Sequence, residues 1–490
     1  MSHPYEELGP AHSDGTWGAY GTPILIRGGR VINPSTKFDK VCDVLMHAWG
    51  IEAISKRIAA EPGMLVIDAE GLIVAPGLVD PHVHLRQPGG EHKETLYTGA
   101  RAALAGGFTT VCCMPNTTPA LDSPELVRYV MDAAPYINIF PVAAATKGRK
   151  GEELAEIELL AKAGAVGFSD DGDCIASAGI MARVLTAVAR TGLAFMQHCQ
   201  EPTLTRGASM HAGAISLRLG LGGWPRVAEE LIIERDIRLN RNIGCRYHVQ
   251  HISSADSVEL VKRARRDGQP VTAEASPHHL HLTHEACDGY NTLAKVNPPL
   301  REKADVQALR QGVADGTITI LATDHAPHSV DEKQLPFEDA PFGLVGLETA
   351  VPLYAEALVH TGAISWPRLI ALLTTEPAKL CGLDTEMSWQ SDGAVGVLVE
   401  DGRADVTLID PDRKWTIDES CLAGKSKNTP FLGTKVRGRV VGTFVQGELR
   451  YEHGLKDRVR RAEALTAAGG GKAPQAQPTP RPARRAKARS

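Results

Sequence analysis

Leu78-Val79-Asp80-Pro81-His82-Val83-His84 decides the fold, because this apolar, strand-like run ends in a His-x-His pair. Four later apolar runs also end in side chains that can bind a metal, at Ser169-Asp170-Asp171, Gln197-His198, Gln250-His251 and Thr323-Asp324-His325. Closed parallel barrels build their sites from the carboxyl ends of several strands, and imidazole and carboxylate are common ligands of zinc and similar ions. The five segments therefore predict a metal site at the rim of such a barrel.

The middle of the chain, residues 76–379, alternates strand-like runs with amphipathic helical stretches. This alternation indicates parallel strands joined by crossovers, and eight such units predict a closed (β/α)8 TIM-like barrel of the α/β class. The eight strands are predicted at Leu78–His84, Thr109–Met114, Ile137–Ala143, Ala165–Asp170, Leu193–His198, Arg246–His251, Val271–Ala275 and Thr319–Asp324.

A small β domain is expected beside the barrel. Short strand-like runs between Gly, Asp and Pro occupy residues 23–75 and return over 380–455, which indicates a β-sandwich assembled from both ends of the chain. Residues 1–22 are expected to be an N-terminal extension. Residues 456–490 are expected to start with a helix fragment and end in a basic disordered tail, since little apolar surface is available to offset ordering entropy. The sequence leaves open whether the tail also docks an acidic partner.

Composition excludes several classes of protein. Of the 490 residues 43% are hydrophobic and 23% charged, and the formal net charge is −5, so the body has no general attraction for nucleic acid or anionic membrane. No apolar run approaches the roughly 20 residues of a membrane span. The nine cysteines are an odd number without framework spacing, as expected of free thiols in a reducing compartment. We therefore expect a cytoplasmic enzyme that acts on a small molecule.

The metal-capable residues are predicted to form two neighbouring groups. His82 and His84 are two residues apart, so on a strand both side chains point to the same side. Asp324 ends the eighth strand, which adjoins the first in a closed barrel, and can reach the same ion. His198 and His251 end strands five and six and would hold a second ion across the mouth.

A bridge between the two groups is expected at the end of strand four, where Asp170 and Asp171 stand side by side. Alternation allows only one of them to point inward, and periodicity does not choose between them. Two divalent ions with only two carboxylates and a hydroxide leave a net positive site, so an anionic substrate is expected.

The chain resembles the class I dihydroorotases of the amidohydrolase superfamily, from about residue 23 to about residue 450. The resemblance implies zinc-dependent, reversible cyclisation of N-carbamoyl-L-aspartate to (S)-dihydroorotate in de novo pyrimidine (UMP) biosynthesis. The motifs that carry it are Asp80-Pro-His82-Val-His84-Leu-Arg86-Gln-Pro-Gly-Gly, Met114-Pro-Asn116-Thr, Ser276-Pro-His-His, Asn297-Pro-Pro-Leu-Arg301 and Ala322-Thr-Asp324-His-Ala-Pro-His328.

The resemblance also implies the roles of the metal-capable residues. Asp171 rather than Asp170 is then the bridge, and Asp324 is also the catalytic group that moves a proton between water and the leaving nitrogen. Two zinc ions per subunit are implied, held by the positions His82, His84, Asp171, His198, His251 and Asp324.

A substrate with a ring carboxylate requires a fixed cation away from the metals. Arg86 follows strand one, and its planar fork suits a bidentate grip on a carboxylate. By resemblance, Asn116 and His328 complete this clamp. Asn297 and the Phe342-Gly343 backbone would hold the ring amides.

Several nearby residues keep open roles. Ser329–Gly343 has few apolar residues, several acidic ones and two prolines, and both a mobile lid and an ordinary surface loop fit this pattern. Two roles remain open for His278, His279 and His281: packing at the barrel rim, or orienting a ligand. Cys199 is expected, by alternation, to point away from the ions.

Two rival functions are weighed against this one. Dihydropyrimidinases, hydantoinases and allantoinases generally bridge their metals with a carboxylated lysine on strand four, whereas Gly167-Phe-Ser-Asp170-Asp171 contains none, and their substrates give no reason for Arg86. Inactive relatives act as scaffolds for aspartate transcarbamoylase, but they generally lack ligands and here every ligand position is filled. The resemblance implies a homo-oligomer and a possible complex with aspartate transcarbamoylase.

Overall fold

The structure, a computed structural model, describes residues 21–133, 136–385 and 393–462. Within these ranges the chain builds a parallel barrel and a separate sheet to which both ends contribute. Most of the predicted extension at 1–22 and of the predicted tail at 456–490 lies outside the described residues. No helix in the described ranges is long and apolar enough to cross a bilayer.

The first five strands belong to the separate sheet. They are β1 (Ile24–Asn33), β2 (Phe38–His47), β3 (Gly50–Ser55), β4 (Leu65–Asp68) and β5 (Ile73–Pro76). The pairing of β1 with β2 shifts between Ile26 and Gly29. Gly28 has a φ of +71° at this bulge, a conformation that costs glycine little because it has no Cβ. The bulge lets β1 continue where a pair of glycines would otherwise suggest a turn.

Eight parallel strands form the barrel, and their order in space follows their order along the chain. A short parallel pair, β11 with β12, lies in the connection between the fifth and sixth barrel strands. The strands of this part of the chain are β6 (Leu78–Val83), β7 (Phe108–Cys113), β8 (Asn138–Ala144), β9 (Gly167–Ser169), β10 (Ala194–Gln197), β11 (Met210–His211), β12 (Gly223–Trp224), β13 (Arg246–Val249), β14 (Val271–Ala275) and β15 (Ile320–Leu321).

The barrel closes just beyond its last strand. A parallel bridge joins Val83 of β6 to His325, and the His84 N–H donates to the His325 carbonyl at 2.8 Å. Every residue of β6 and β7 is buried, as expected of barrel strands that are covered on both faces. The predicted (β/α)8 barrel is confirmed.

Helices connect the barrel strands. Several start at a serine whose side chain accepts a backbone N–H of the first turn, as Ser123, Ser177 and Ser254 do. The helices are α1 (Leu96–Ala105), α2 (Pro124–Asp132), α3 (Ile157–Ala163), α4 (Ala178–Ala189), α5 (Pro202–Thr205), α6 (Ala214–Leu219), α7 (Val227–Asn240), α8 (Ala255–Arg266), α9 (Pro277–His281), α10 (Lys303–Ala314), α11 (Val330–Lys333), α12 (Ala350–Tyr354), α13 (Trp366–Leu372) and α14 (Thr375–Leu380).

The last strands return to the separate sheet as β16 (Val406–Thr416), β17 (Lys435–Val445), β18 (Glu448–Glu452) and β19 (Val459–Arg461). Its order is β18-β17-β16-β5-β1-β2-β3, with β4 paired to both β1 and β19. The sheet therefore branches at β1, and apolar residues from both branches share one core. The predicted β-sandwich assembled from both ends of the chain is confirmed.

The helix fragment predicted from residue 456 is wrong in its extent. Lys456–Arg458 form a single 3-10 turn, after which the chain continues as β19. β19 pairs antiparallel with β4. The segment becomes a strand because β4 offers an unpaired edge there, which local sequence does not reveal.

Candidate metal centre and active site

Six histidine and aspartate side chains converge at the carboxyl end of the barrel. His82 lies within β6, and the others lie in the turns that follow β6, β9, β10, β13 and β15. Each is at most 6% exposed. They are the residues predicted as metal ligands, namely His82, His84, Asp171, His198, His251 and Asp324.

The first group joins the ends of β6 and β15. Asp324 Oδ1 lies 3.1 Å from His84 Nε2 and 3.5 Å from His82 Nε2. Asp171 reaches the same nitrogens, with Oδ1 3.5 Å from His82 Nε2 and Oδ2 3.4 Å from His84 Nε2. Side chains of four residues from three strand ends thus meet in this group.

The second group lies across the barrel mouth. His198 Nδ1 and His251 Nε2 are 2.8 Å apart, and each is 3.5 Å from Asp171 Oδ1. Asp171 therefore contacts both groups and occupies the position between them.

Two of the buried ligand atoms are free of hydrogen bonds within the described ranges and therefore available to a metal. His82 Nε2 and Asp171 Oδ1 are buried and have no hydrogen-bond partner among the described residues. Two ligands about 2.1 Å from a tetrahedral ion lie about 3.4 Å apart, which matches the carboxylate-to-imidazole separations of 3.1–3.5 Å. Imidazole nitrogen and carboxylate oxygen suit a divalent ion such as zinc.

Asp170, the alternative bridge, faces another part of the molecule. Its Oδ1 accepts the backbone N–H groups of Ala145 and Thr146 at 2.9 and 3.0 Å, and its Oδ2 accepts the Thr146 hydroxyl. Asp170 thus ties the turn after β8 to the turn after β9. The two adjacent carboxylates follow the end of β9 at Ser169 and face different partners.

Most of the ligand histidines are oriented through their other ring nitrogen. His82 Nδ1 lies 2.5 Å from Glu274 Oε1, and His84 Nδ1 lies 2.8 Å from the Asn116 amide oxygen. His198 Nε2 lies 2.9 Å from the Gln200 amide oxygen. Acceptors at these positions fix the ring orientation and leave the inner nitrogen free for a metal.

The carboxylates of the site are held ionised. Burial alone would raise the pKa of Asp324, but its bond with His84 and the nearby imidazoles of His82 and His251 outweigh burial and hold that pKa below its ordinary value. Burial is likewise outweighed at Glu274, where His82 and His248 lower the pKa to about 2. The ionised form of Asp324 can bind a metal and accept a proton.

A second polar cluster lies beside the ligands. The Arg86 Nε donates to the Pro327 carbonyl at 3.2 Å, and one Arg86 terminal nitrogen lies 3.2 Å from His328 Nε2. Burial lowers the pKa of Arg86 to about 10, so its charge persists at neutral pH, and lowers the pKa of His328 to about 2. Within the described ranges this guanidinium bonds to a carbonyl and an imidazole rather than to a carboxylate.

The residues predicted to hold the ring amides are only partly open to a ligand. The Asn297 side-chain N–H donates to Gln200 at 3.1 Å, while its amide oxygen is buried and has no partner among the described residues. The Phe342 carbonyl lies 2.8 Å from His328 Nε2. The Gly343 N–H and carbonyl are both engaged within the protein, by the Lys295 carbonyl at 2.9 Å and the Asn428 amide at 3.1 Å.

Three contributors to the site are absent from the sequence prediction. Glu274 lies in the apolar run of β14, and an acidic residue there was a usable signal. Arg149 donates to the Asp171 carbonyl and pairs with Asp173 at 3.2 Å. Asn428 accepts the His328 N–H at 3.0 Å from a loop a hundred residues away. Neither of the last two has a local sequence signal.

The residues without an assigned role have structural partners. His278 Nε2 lies 3.0 Å from the Ser276 hydroxyl, His279 Nε2 3.0 Å from the Pro298 carbonyl, and His281 Nε2 2.6 Å from the Leu353 carbonyl. Cys199 is buried, with its thiol 3.6 Å from the Tyr247 hydroxyl.

Backbone strain concentrates in the site. Arg86, His251 and Asp324 have φ values of 59°, 30° and 51°, in the left-handed region that non-glycine residues rarely adopt. Each such residue costs about 1–3 kcal/mol and persists where its surroundings determine it. The turns after β6, β13 and β15 are therefore held in conformations that local preference disfavours.

Comparisons with known proteins agree with this geometry. A protein-family model described as Dihydro-orotase-like matches residues 71–257. The dihydroorotase of Geobacter sp. (strain M21) is 44% identical over 434 residues, covering 88% of this chain and all of the relative. The dihydroorotase of Caldanaerobacter subterraneus subsp. tengcongensis is 44% identical over 436 residues, covering 88% of this chain and 98% of the relative.

Solved structures share the fold. The L-hydantoinase (dihydropyrimidinase) from Arthrobacter aurescens superposes with a TM-score of 0.77 at 26% identity, covering 88% of this chain and 96% of that one. The dihydropyrimidinase from Brevibacillus agri NCHU1002 superposes with a TM-score of 0.74 at 23% identity, covering 88% and 95%. At 23% identity, the likeness to the Brevibacillus agri structure concerns the fold alone.

Proposed function

This chain belongs to the dihydroorotase family, and on that premise we propose that it is a class I, zinc-dependent dihydroorotase. The reaction is the reversible cyclisation of N-carbamoyl-L-aspartate to (S)-dihydroorotate. Membership of the family makes the protein an enzyme that acts on cyclic amides. The observation that carries the finer proposal is Arg86, a half-buried cation next to the six ligands and free of a direct carboxylate partner among the described residues.

Two zinc ions are proposed for the site. His82, His84 and Asp324 would hold one, and His198 and His251 the other, with Asp171 between them. Such ions lower the pKa of bound water to about 7 and polarise a carbonyl when they are bound. The unpartnered, buried His82 Nε2 and Asp171 Oδ1 support this assignment.

Asp324 is the proposed proton carrier. It is ionised, and its Oδ1 lies among the ligand nitrogens at the end of β15. In the hydrolytic direction its carboxylate takes the proton of the water that adds to the ring carbonyl. As the ring C–N bond breaks, Asp324 returns this proton to the leaving nitrogen. Cyclisation follows the same path in reverse.

The substrate carboxylate is assigned to Arg86, Asn116 and His328. The planar guanidinium supplies the charge and can donate two parallel hydrogen bonds. The Asn116 amide oxygen is occupied by His84, so its N–H group would face the substrate. His328 is neutral, so it can bind the substrate carboxylate without adding a second positive charge beside Arg86. The ring amides are assigned to the unpartnered oxygen of Asn297 and to the Phe342-Gly343 backbone, of which Phe342 is the more accessible.

Location and partners are also proposals. We expect a cytoplasmic homo-oligomer, and a complex with aspartate transcarbamoylase that either adds to or controls activity. We expect neither a membrane nor a nucleic-acid partner, and the net charge of −5 gives no reason for the latter.

The alternative is hydrolysis of a neutral cyclic amide, which the likeness to hydantoinase structures favours. The two functions differ in the need for Arg86, because only a substrate with a carboxylate uses a fixed cation. Faster hydrolysis of a hydantoin or dihydropyrimidine than of dihydroorotate by the unmodified enzyme would select the alternative.

The deciding experiment measures both directions of the reaction. Purified protein of known metal content is assayed for dihydroorotate hydrolysis and carbamoyl-aspartate cyclisation, with and without aspartate transcarbamoylase from the same organism. Turnover near two zinc ions per chain is the expected result, and turnover only with the partner identifies a complex-controlled enzyme. Metal-loaded protein that is inactive in both settings would overturn the proposal.

A further inference from the structure

The segment between α11 and the barrel closure, residues 334–343, is anchored by two buried lysines. It contains no regular helix or strand, and it returns to the barrel at Leu344, which pairs with His325. The sequence leaves open whether this segment is a lid or an ordinary loop. Its hydrogen bonds show instead a loop that is tied along its length to residues 291–298.

Lys295 is the first anchor and is only 2% exposed. Its ammonium donates to the carbonyls of Phe337, Glu338 and Ala340 at 2.6, 2.9 and 2.6 Å. The same nitrogen lies 4.5 Å from the centroid of the Phe342 ring. An ammonium has three N–H donors, so the three carbonyls use its full capacity.

Lys333, the last residue of α11, is the second anchor and is 5% exposed. Its ammonium donates to the carbonyls of Thr292, Lys295 and Pro341 at 3.0, 3.4 and 2.7 Å. Lys295 therefore bonds to residues 334–343, and Lys333 bonds both to residues 291–298 and to Pro341 of the 334–343 segment. We call Lys295, Lys333 and their six carbonyl acceptors the lysine clamp.

Both cations are buried without a carboxylate partner within the described ranges. The carboxylates of Asp339 and Glu338 act on Lys295 only through long-range electrostatics. Burial lowers the pKa of Lys295 to about 8 and that of Lys333 to about 7. Methionine would fill the same space without this desolvation cost, so packing alone does not account for two lysines here.

The lysine clamp surrounds the residues assigned to the substrate ring. The Ala340 and Pro341 carbonyls accept from the two ammonium groups, and the Gly343 N–H donates to the Lys295 carbonyl at 2.9 Å. Phe342 is thus fixed from both sides, while Asn297 lies two residues after Lys295. The lysine clamp therefore holds Phe342 through its neighbours and is linked to Asn297 through the short stretch of chain after Lys295.

We propose that Lys295 and Lys333 are positioning residues that hold Phe342 and Asn297 at the spacing required by a small cyclic amide. The inference rests on the proposed function for the identity of that substrate. Because the hydrogen bonds of both ammonium groups within the described ranges go to backbone carbonyls and none goes to a proposed metal ligand, we expect the lysine clamp to act on substrate affinity and not on the proton transfer at Asp324. A purely structural role would not separate KM from kcat in this way.

The test compares Lys295→Met and Lys333→Met with the control Lys303→Met, which replaces an exposed lysine at the start of α10. Each variant is assayed with dihydroorotate at known metal content, and hydrogen exchange is followed in peptides covering 291–298 and 334–343. We expect KM to rise at least tenfold, kcat to stay within threefold, and exchange in both peptides to accelerate. The control should match the unmodified enzyme.

Three results would overturn the inference: an unchanged KM, an equal loss in kcat, or a raised KM without faster exchange. If a methionine variant does not fold, Lys→Gln at the same position, which keeps two donors, is read by the same criteria. If the unmodified, metal-loaded enzyme does not turn over dihydroorotate, the proposed function fails. The same comparison is then made with the cyclic amide that it does hydrolyse, so the two failures are distinguishable.

Discussion

Asp170 and Asp171 are adjacent carboxylates with separate tasks. Asp171 lies among four ligand nitrogens, whereas Asp170 accepts three donors from Ala145 and Thr146. Residue type predicts a carboxylate at this position, but strand alternation does not choose between the two. The choice depends on which donors the neighbouring turn after β8 presents.

Asp324→Asn should lower kcat by at least about a hundredfold, the usual scale for loss of a general base. Asparagine keeps the size of the side chain but cannot accept and return the proton. Steady-state kinetics at measured metal content provide the check, because Asp324 is also a proposed ligand. Near-normal turnover in a fully loaded variant would remove Asp324 from the proposed role.

Arg86→Lys should mainly raise KM for dihydroorotate while leaving kcat within a few-fold. Lysine keeps the charge but loses the planar fork that grips a carboxylate with two parallel bonds. The comparison of KM and kcat with the unmodified enzyme is the measurement. A variant that binds dihydroorotate as well as the unmodified enzyme does would show that the carboxylate lies elsewhere.

At the scale of elements, neighbouring strands support one another's ligands. Glu274 on β14 lies 2.5 Å from His82 of β6 and 2.9 Å from His248 of β13. The same carboxylate accepts the His251 N–H at 3.2 Å. One buried side chain therefore links three strands and orients ligands of both metal groups. The strands themselves were predictable from apolar runs, but this cross-link depends on their pairing around the barrel.

Glu274→Gln should weaken metal binding by about 10- to 100-fold, the usual effect of losing a group that orients a ligand. The neutral amide of glutamine accepts a weaker hydrogen bond from His82 and cannot balance a positive charge on that imidazole. Metal affinity is measured by competition with a chelator. Thr272→Val, which removes only the far hydroxyl bonded to His248 at 2.8 Å, is the matched control and should retain normal affinity.

At the scale of the whole molecule, the site joins parts of the chain that are far apart. Asn428, in the second half of the chain, donates to the carbonyls of Ala326 and Gly343 at 3.2 and 3.1 Å and accepts the His328 N–H at 3.0 Å. The β-sandwich likewise needs both ends of the chain, since β16 pairs with β5. Folding of the site therefore requires the complete described body rather than the barrel strands alone.

Removal of metal should lower the melting temperature by at least about 5 °C. A metal at about a thousand times its Kd stabilises the folded state by about 4 kcal/mol, and its loss leaves the buried carboxylates of Asp171 and Asp324 without that cation. Calorimetry of chelated and zinc-restored protein is the measurement. Equal melting temperatures in the two states would contradict a resident metal at this site.

The sequence by itself determined the barrel, the β-sandwich drawn from both ends, and five of the six residues that meet at the barrel mouth, with the sixth narrowed to Asp170 or Asp171. These features follow from local signals, because the spacing of apolar residues and the residue types at strand ends can be recognised within short stretches of sequence. Tertiary structure alone decided that Asp171 and not Asp170 enters the cluster, that Glu274 supports His82, and that β19 replaces a helix.

The lysine clamp and the hydrogen bonds of Asn428 to distant residues also depend on the tertiary structure. In each case the partners are backbone carbonyls or N–H groups, which every residue has, so no residue type in the sequence marks them. Their positions depend on how loops that leave the strands lie against one another. Side-chain alternation, which guides prediction within a strand, gives no information once the strand has ended.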